Sequence, residues 1–229
     1  DYKREPNSDK PLNERNPKWI NDYYCKFIRL GQSFVDKNTE GVLAYINNHS
    51  FLDNPTFRGM RWSLMQSFDK IYIIDLHGNS KKKEVCPDGS KDENVFDIQQ
   101  GVSINIFVKN GKKPEGELAE VYHCDLYGLR EFKYNYLLEH SFTTTDFTRI
   151  EPSAPFYFFI KRDTANEEVY NRGFSVNDMF PVSTVGVVTA KDAVLIDTSK
   201  SLLLDKVADH YQIQPDKMLI ANIDYRPIW

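Results

Sequence analysis

Two buried-strand patterns separated by one helix constrain the fold more than any other feature of this 229-residue sequence. Residues 42–46 (VLAYI) form a short apolar run, and residues 71–76 (IYIIDL) form a second. Between them, Pro55 opens a predicted helix that ends near residue 66. A strand, a helix and a strand at this spacing predict a right-handed crossover unit of a parallel sheet. The chain is therefore expected to be an α/β protein.

The next segments predict how the sheet ends. Residues 102–108 alternate as a strand does, and Asn110-Gly111 is a strong hairpin turn signal before a second strand at 119–125. We expect these two strands to form an antiparallel hairpin that closes the sheet. After residue 127 the pattern changes to a helix at 132–138 and an aromatic strand at 156–160, which predicts a second, smaller α+β region.

Charge and cysteine content limit the function classes. A net charge of −4 argues against non-specific coating of nucleic acid and leaves room for local basic patches, such as Lys81 to Lys83. Three cysteines without CxxC spacing, and no apolar segment at the start, argue against a disulfide-built secreted domain. We therefore expect a cytoplasmic protein, without a metal centre and, since no apolar run reaches about 20 residues, without a membrane span.

Several polar residues near the strand ends are open to two interpretations. Asn47, Asn48 and Asp53 could bind a ligand or could cap the next helix. His49 and His77 could approach nucleic acid or could be satisfied within the fold. Two arginines one helical turn apart could both meet phosphate or could pair with surface acids; these are Arg58 and Arg61. The long polar segment 78–93, which carries the lysines, is a candidate functional loop.

Ordered sequence blocks across most of the chain resemble one family. They are GVLAYINNHSFLD (41–53), FRGMR (57–61), IIDLHGN (73–79), NVFDIQQGVS (94–103), YNRGFS (170–175), FPVSTVG (180–186) and YRP (225–227). Together they resemble adenine-N6-specific DNA methyltransferases, above all those fused within single-chain Type ISP restriction-modification enzymes. The last three blocks resemble the segment that leads into target recognition.

The resemblance implies an incomplete S-adenosylmethionine-dependent methyltransferase sheet of the Rossmann-like type. The family's glycine-containing cofactor loop and its Asn-Pro-Pro-Tyr type motif do not appear here. Residues 1–127 would then be the C-terminal half of the methyltransferase domain, and residues 128–229 a linker and the start of the target-recognition region. S-adenosyl-L-methionine would be bound mainly by the missing N-terminal half, no catalytic residue would lie in this chain, and the fragment would be inactive alone.

The resemblance also assigns roles near the target base. Related enzymes place an aromatic residue just before the terminal hairpin, where it packs on the flipped-out adenine, and Phe96 stands at the matching position. A Phe that plugs the end of the hairpin is the other interpretation. Asn47 and Asn48 are the other candidates for the base. The candidates for contacts with the DNA backbone are Lys81, Lys82, Lys83, Arg58 and Arg61.

The implied function is transfer of a methyl group from S-adenosyl-L-methionine to N6 of adenine in double-stranded DNA, as part of restriction-modification. The expected partners are DNA and the rest of the parent polypeptide, and an exposed sheet edge could support association. The alternative is a non-catalytic DNA-binding or specificity module. A nuclease is disfavoured, because Asp75, Glu84 and Lys91 do not form a convincing metal-dependent cluster.

Overall fold

The chain divides into two compact units. The computed structural model describes residues 2–14, 17–163, 165–182 and 191–212. The units are Asp1–Asp163 and Thr164–Trp229. Residues 128–163 belong to the first unit, so the structural division falls later than the boundary at 127/128 that the sequence suggests. The assignment of functions to the two parts of the chain stays a prediction.

One mixed sheet organises the described part of the first unit. Its strands are β1 (Gly41–Asn48), β2 (Lys70–Asp75), β3 (Val102–Lys109), β4 (Glu120–Asp125) and β5 (Thr148–Ile150). They lie in the order β1-β3-β2-β4-β5. The β2–β4 pair is parallel, and the other three pairs are antiparallel. The predicted α/β class is confirmed.

The strand order differs from the prediction in two places. β1 and β2 run in the same direction, but β3 lies between them and is antiparallel to both. The predicted antiparallel hairpin between β3 and β4 does not form, because β4 pairs in parallel with the far edge of β2. Asp69, just before β2, binds the turn that follows β3: its carboxylate accepts the backbone N–H groups of Asn110, Lys112 and Lys113. The turn that follows β3 is thereby held beside the amino-terminal end of β2.

Two helices cover one face of the sheet. α1 (Tyr23–Asp36) begins after Asp22, whose carboxylate accepts the N–H of Tyr23, and α2 (Arg58–Ser67) follows short 3-10 turns at His49–Phe51 and Pro55–Phe57. Their buried apolar side chains join Ile71, Ile73 and Phe107 in the main core. Burial of this surface is the chief stabilising contribution to the unit.

The opposite face is covered at the β2–β4 end. The predicted helix at 132–138 is confirmed as α3 (Arg130–Glu139), whose Tyr136 and Leu137 pack with Ile74 and Cys124. Residues 156–160 form turns and bends, so the predicted aromatic strand is wrong. The carbonyl of Phe156 is instead an acceptor for a buried arginine.

The β1 end of the sheet is open in the described structure. β1 is the terminal strand, and its Val42 and Ile46 side chains are 65% and 53% exposed. α1 also carries a second apolar row, which faces solvent because the first row already faces the core. That row consists of Tyr23, Phe27, Leu30 and Phe34. An unpaired strand edge beside exposed apolar side chains favours association with another segment.

The second unit contains short helices in its described part. They are α4 (Glu167–Asn171), α5 (Val176–Met179), α6 (Asp192–Leu195) and α7 (Lys200–Tyr211). Residues 183–186 and the block 225–227, part of the resemblance to target-recognition segments, lie outside the described residues. Across the described ranges, no helix has the length and apolar character needed to span a membrane.

Candidate nucleic-acid interface at the carboxyl rim of the sheet

The carboxyl ends of β1, β2 and β4 meet at one edge, which we call the rim. The strand register aligns Asn47, Ser103, Asp75 and Asp125 in one row across four strands. Polar side chains at such a position are typical of ligand sites in α/β sheets, because the loops that follow the strands converge there. The rim is therefore a candidate ligand site.

Two adjacent asparagines on β1 have different placements. Asn47 is buried; its Oδ1 accepts a 2.9 Å hydrogen bond from Asn105 Nδ2, and its own Nδ2 donates to the carbonyl of Asn48. Asn48 Oδ1 accepts two hydrogen bonds from Ser50, one from the backbone N–H at 2.9 Å and one from the hydroxyl at 2.7 Å. Asn48 also lines a surface cavity, whereas Asn47 supports the strand from inside.

That cavity, the rim cavity, has a volume of about 340 Å³. Three aromatic side chains line it, namely Trp19, Tyr24 and Phe57. Tyr24 and Phe57 also contact each other, with ring centroids 6.3 Å apart. Aromatic rings at the wall of an open cavity can stack on a flat heterocycle.

The remaining wall is polar. Three residues with carboxamide side chains, Asn48, Asn79 and Gln100, line the rim cavity, and so do Lys81, Lys82 and the acidic Asp22. Carboxamides offer both donors and acceptors to the edge of a base, and lysine ammonium groups suit phosphate. The cavity therefore combines the three kinds of group that recognise an extruded nucleotide.

The lysine run lies on the surface, as a phosphate contact requires. Lys81, Lys82 and Lys83 are all exposed, and Lys83 has a positive φ of 52° within a turn. Lys82 Nζ lies 3.3 Å from Asp53 Oδ2, with its side chain 57% exposed. Asp53 thus orients a rim lysine instead of capping a helix.

The structure places both candidate arginines in the interior. Arg58 pairs with Glu5 at 2.7 Å and with Glu14, so it anchors the N-terminal segment, and these acids raise its pKa despite opposing burial. Arg61 is fully buried and donates to the carbonyls of Phe51, Asn54 and Phe156. Burial lowers the pKa of Arg61 to about 9. Neither guanidinium is positioned to meet phosphate, because each is held by partners within the fold.

Phe96 lies on the loop before β3, with 43% of its surface exposed. Its backbone N–H is accepted by Asn94 Oδ1 at 2.9 Å, and its carbonyl accepts a hydrogen bond from Arg130 at 3.0 Å. The ring is therefore not a plug in an apolar core. It does not line the rim cavity either, so stacking on a base stays a prediction.

A histidine cluster lies at the rim, and the sequence patterns did not predict it. His49 and His77 are both buried, and each contacts Asp75. His49 Nδ1 lies 2.9 Å from Asp75 Oδ1, and the backbone N–H of His77 donates to the same oxygen at 3.0 Å. His77 also lies 2.9 Å from Glu84 and from Asp125 through its two ring nitrogens. The one sequence signal was an Asp-x-His at the end of a buried strand.

Electrostatics keep His77 charged. Burial alone lowers the pKa of an imidazole, yet hydrogen bonds to Asp125 and Glu84 and the charge of Asp75 raise the pKa of His77 to about 9. Burial likewise opposes ionisation of Glu84, but the donors His77 and Asn79 lower the pKa of Glu84 to about 2. The cluster therefore holds an imidazolium between carboxylates at neutral pH.

The ligand atoms of His49, Asp75 and His77 lie within 4.8 Å of one another, which is close enough to hold a metal ion. The hydrogen bonds argue against that use. Both ring nitrogens of His77 already face carboxylate oxygens, from Glu84 and Asp125, and a metal would have to displace one of these ion pairs. In the described structure, hydrogen bonds within the chain already satisfy both ring nitrogens of His77.

Comparison with known proteins shows where this fold occurs. No family model matches the sequence, and no curated protein matches it. Among solved structures, the chain is similar to the cryoEM DrdV–DNA complex, with a TM-score of 0.63 and 22% identity over 90% of this chain and 20% of that one. It is also similar to a nuclease-deletion mutant of the Type ISP restriction-modification enzyme LlaGI in complex with a DNA substrate mimic, with a TM-score of 0.63 and 24% identity.

The LlaGI similarity covers 90% of this chain and 19% of LlaGI. A third similar structure is the ATP-dependent Type ISP restriction-modification enzyme LlaBIII bound to DNA, with a TM-score of 0.56 and 25% identity over 68% of this chain and 10% of that one. The chain thus spans a fifth or less of each of these three proteins. It shares its fold with a part of these large DNA-bound proteins.

Proposed function

We propose that this chain is part of a site-specific DNA methyltransferase of a Type ISP-like restriction-modification enzyme, which transfers a methyl group from S-adenosyl-L-methionine to N6 of adenine. Three findings support the proposal. The fold is shared with enzymes whose structures contain DNA. The sequence blocks resemble adenine-specific methyltransferases. The rim carries a cavity suited to a nucleotide.

The rim cavity is the observation that carries the proposal. A methyltransferase must take its target base out of the duplex, and lost stacking costs a few kcal/mol that aromatic walls partly restore. Trp19 and Tyr24 provide such walls, and the carboxamides of Asn48 and Asn79 can bond the edge of adenine. Phe96, on the same segment between β2 and β3 as Asn79, is proposed to stack on the target base.

Backbone contacts come from the lysine run beside the cavity. Lys81 and Lys82 line the cavity itself, so a phosphate held there would belong to the nucleotide whose base enters. Lys83 extends the same exposed turn. Because each phosphate contact releases counterions, binding should weaken steeply with salt.

The methyl-donor site is proposed to lie mainly outside this chain. The sequence lacks the glycine-containing loop that the resemblance leads one to expect for S-adenosyl-L-methionine. We therefore assign that cofactor mainly to the rest of the parent polypeptide. This chain contributes one wall of the base pocket and contacts to the DNA backbone, and it is not active alone.

The open β1 edge is where the rest of the parent polypeptide is proposed to join. An added strand beside β1 would satisfy its unpaired N–H and C=O groups, and neighbouring segments would cover the exposed row Tyr23, Phe27, Leu30 and Phe34 on α1. We expect the isolated chain to associate through the same edge.

The test is a binding comparison with the 229-residue chain. Fluorescence anisotropy is measured with two labelled duplexes that differ at one position, where an adenine is either paired or unpaired. We expect tighter binding to the unpaired adenine, on the order of tenfold, because the cost of extrusion is already met. Equal affinity for the two duplexes would contradict a base-binding cavity.

Two aromatic variants make the test specific. Trp19→Ala removes a cavity wall, and Phe132→Ala removes a ring of similar exposure, 55% against 53%, from α3. We expect Trp19→Ala to abolish the preference for unpaired adenine and Phe132→Ala to leave it unchanged. If both variants behave alike, aromatic stacking in the rim cavity is not the cause.

A further inference from the structure

The segment between β2 and β3 is long but firmly held. It turns sharply where it leaves β2, because His77 and Gly78 have positive φ values of 50° and 80°. A Cβ on Gly78 would lie 2.4 Å from the backbone of Asn94, so only glycine permits this close approach. The segment carries both the exposed lysines and Asn79 of the rim cavity. What fixes it therefore also shapes the cavity.

His77 links this segment to the sheet. Its Nδ1 faces Glu84 on the segment, and its Nε2 faces Asp125 at the end of β4, each at 2.9 Å. The ring of Tyr127 stacks on the imidazole, with centroids 3.7 Å apart and planes 12° apart. Donating to both carboxylates at once requires a proton on each nitrogen, which the charged ring provides.

The link continues from His77 to Asn79. The second oxygen of Glu84 accepts the backbone N–H of Asn79 at 2.9 Å. The side chain of Asn79 reaches His49 Nε2 at 3.4 Å and accepts the N–H of Lys82 at 3.1 Å. The carbonyl of Asn79 also accepts the N–H of Glu84 at 3.2 Å. Asn79 is thus held at four atoms, and its backbone N–H and its Nδ2 are held through the histidine cluster.

We propose that His77 is a positioning residue, whose charged ring bridges Glu84 and Asp125 and so fixes Asn79 and the lysine turn at the wall of the rim cavity. The role of the cavity in DNA binding rests on the proposed function. The bridge itself does not, because it follows from contacts within this chain.

A separate anchor holds the rest of the segment. Lys133 donates to Asp92 and to the carbonyls of Leu76 and Glu93, and Asp92 in turn accepts the N–H of Gly78. Loss of His77 should therefore release residues 79–84 without unfolding the sheet. This separation allows a positioning role to be distinguished from a general effect on stability.

The test is chemical rescue of a His77→Gly variant. Glycine accepts the positive φ at this position, and the variant leaves a gap between Glu84, Asp125 and Tyr127 that an imidazole molecule can fill. Hydrogen exchange measured by NMR should show loss of protection at the amides of Asn79 and Lys82, on the order of tenfold or more, with the β2 and β3 amides still protected.

Added imidazole should restore protection at Asn79, whereas 1-methylimidazole should not, because its cation has one N–H and cannot bridge both carboxylates. Equal rescue by the two compounds, or unchanged protection in His77→Gly, would overturn the proposal. Should His77→Gly fail to fold, Glu84→Gln provides the second variant: it is expected to weaken Asn79 protection in the same way, and unchanged protection would again overturn the proposal.

DNA binding separates this proposal from the proposed function. The affinity of His77→Gly for the duplex with an unpaired adenine is measured with and without imidazole, and we expect it to fall and recover together with Asn79 protection. If protection responds as described but the unaltered chain binds no DNA, the proposed function fails and the positioning role of His77 stands. If DNA affinity does not follow Asn79 protection, His77 does not position the cavity.

Discussion

Replacing Lys133 by Met tests how the segment that shapes the rim is anchored. The side chains of Lys133 and Asp92 are both fully buried, with Nζ and Oδ1 2.7 Å apart. Lys133 Nζ also donates to the carbonyls of Leu76 and Glu93 at 2.7 and 2.6 Å, so all three of its N–H groups have acceptors. Asp92 accepts the N–H groups of Gly78 and Gly128. The substitution therefore leaves a buried carboxylate without its counterion.

The expected loss is large. Breaking a buried ion pair by removing one partner costs about 3–5 kcal/mol, because the remaining charge is desolvated and uncompensated. With a urea m-value of about 2 kcal/mol/M for a unit of this size, the unfolding midpoint of Lys133→Met should fall by roughly 1.5–2.5 M. Tryptophan fluorescence reports the transition, since Trp62 lies on α2 in the same unit.

A matched surface pair provides the control. Lys91 Nζ lies 2.6 Å from Glu93 Oε1, but its side chain is 74% exposed. Lys91→Met should change stability by less than about 1 kcal/mol, because solvent screens such pairs. The double variant Lys133→Met with Asp92→Asn should recover part of the loss, since no buried charge remains. An effect of Lys133→Met no larger than that of Lys91→Met would refute the reasoning.

Three further predictions concern the rim. The pKa of His77 is raised to about 9, so the contribution of His77 to stability is fully present below pH 6.5 and is lost as the pH rises through 9. The pKa of Glu84 is lowered to about 2, so the contribution of Glu84 is present above pH 4.5 and is lost as the pH falls toward 2. Urea midpoints should therefore be highest between pH 4.5 and 6.5, and this profile should flatten in His77→Gln. Gly101→Ala places a Cβ 2.4 Å from the ring of His49 and should cost about 1–3 kcal/mol, measured by urea unfolding; an unchanged midpoint would show that the ring has room to move. Phe96→Ala in the parent polypeptide should reduce the methylation rate more than DNA affinity, and an unchanged rate would remove Phe96 from the base pocket.

Sequence patterns predicted most elements but not their pairing. The apolar runs marked β1, β2 and β3 correctly, since burial of a strand depends on its own side chains. Their neighbours in the sheet depend on contacts distant in the sequence. The Asn110-Gly111 signal identified a real turn, which the carboxylate of Asp69 binds, but the strand that follows it pairs with β2 and not with β3.

The residues of the candidate site were likewise predicted only in part. Lys81 and Lys82 were predicted on a functional loop and Asn48 at the end of a strand, and these three do line one cavity with Trp19 and Tyr24. Arg61 looked like a surface residue because charge normally faces water, and nothing local shows that three backbone carbonyls surround it. The role of His77 could not be predicted either, because its partners come from the loop that follows β2 and from the end of β4.

The most direct test of the account is methyl transfer by the intact parent polypeptide. The enzyme is incubated with isotopically labelled S-adenosyl-L-methionine and duplex DNA, and the nucleosides are analysed by mass spectrometry. We predict label on N6 of adenine, strongly reduced by Trp19→Ala and retained in Phe132→Ala. A parent polypeptide that binds both the cofactor and DNA but yields no N6-methyladenine would contradict the central claim and favour a non-catalytic DNA-binding or specificity module.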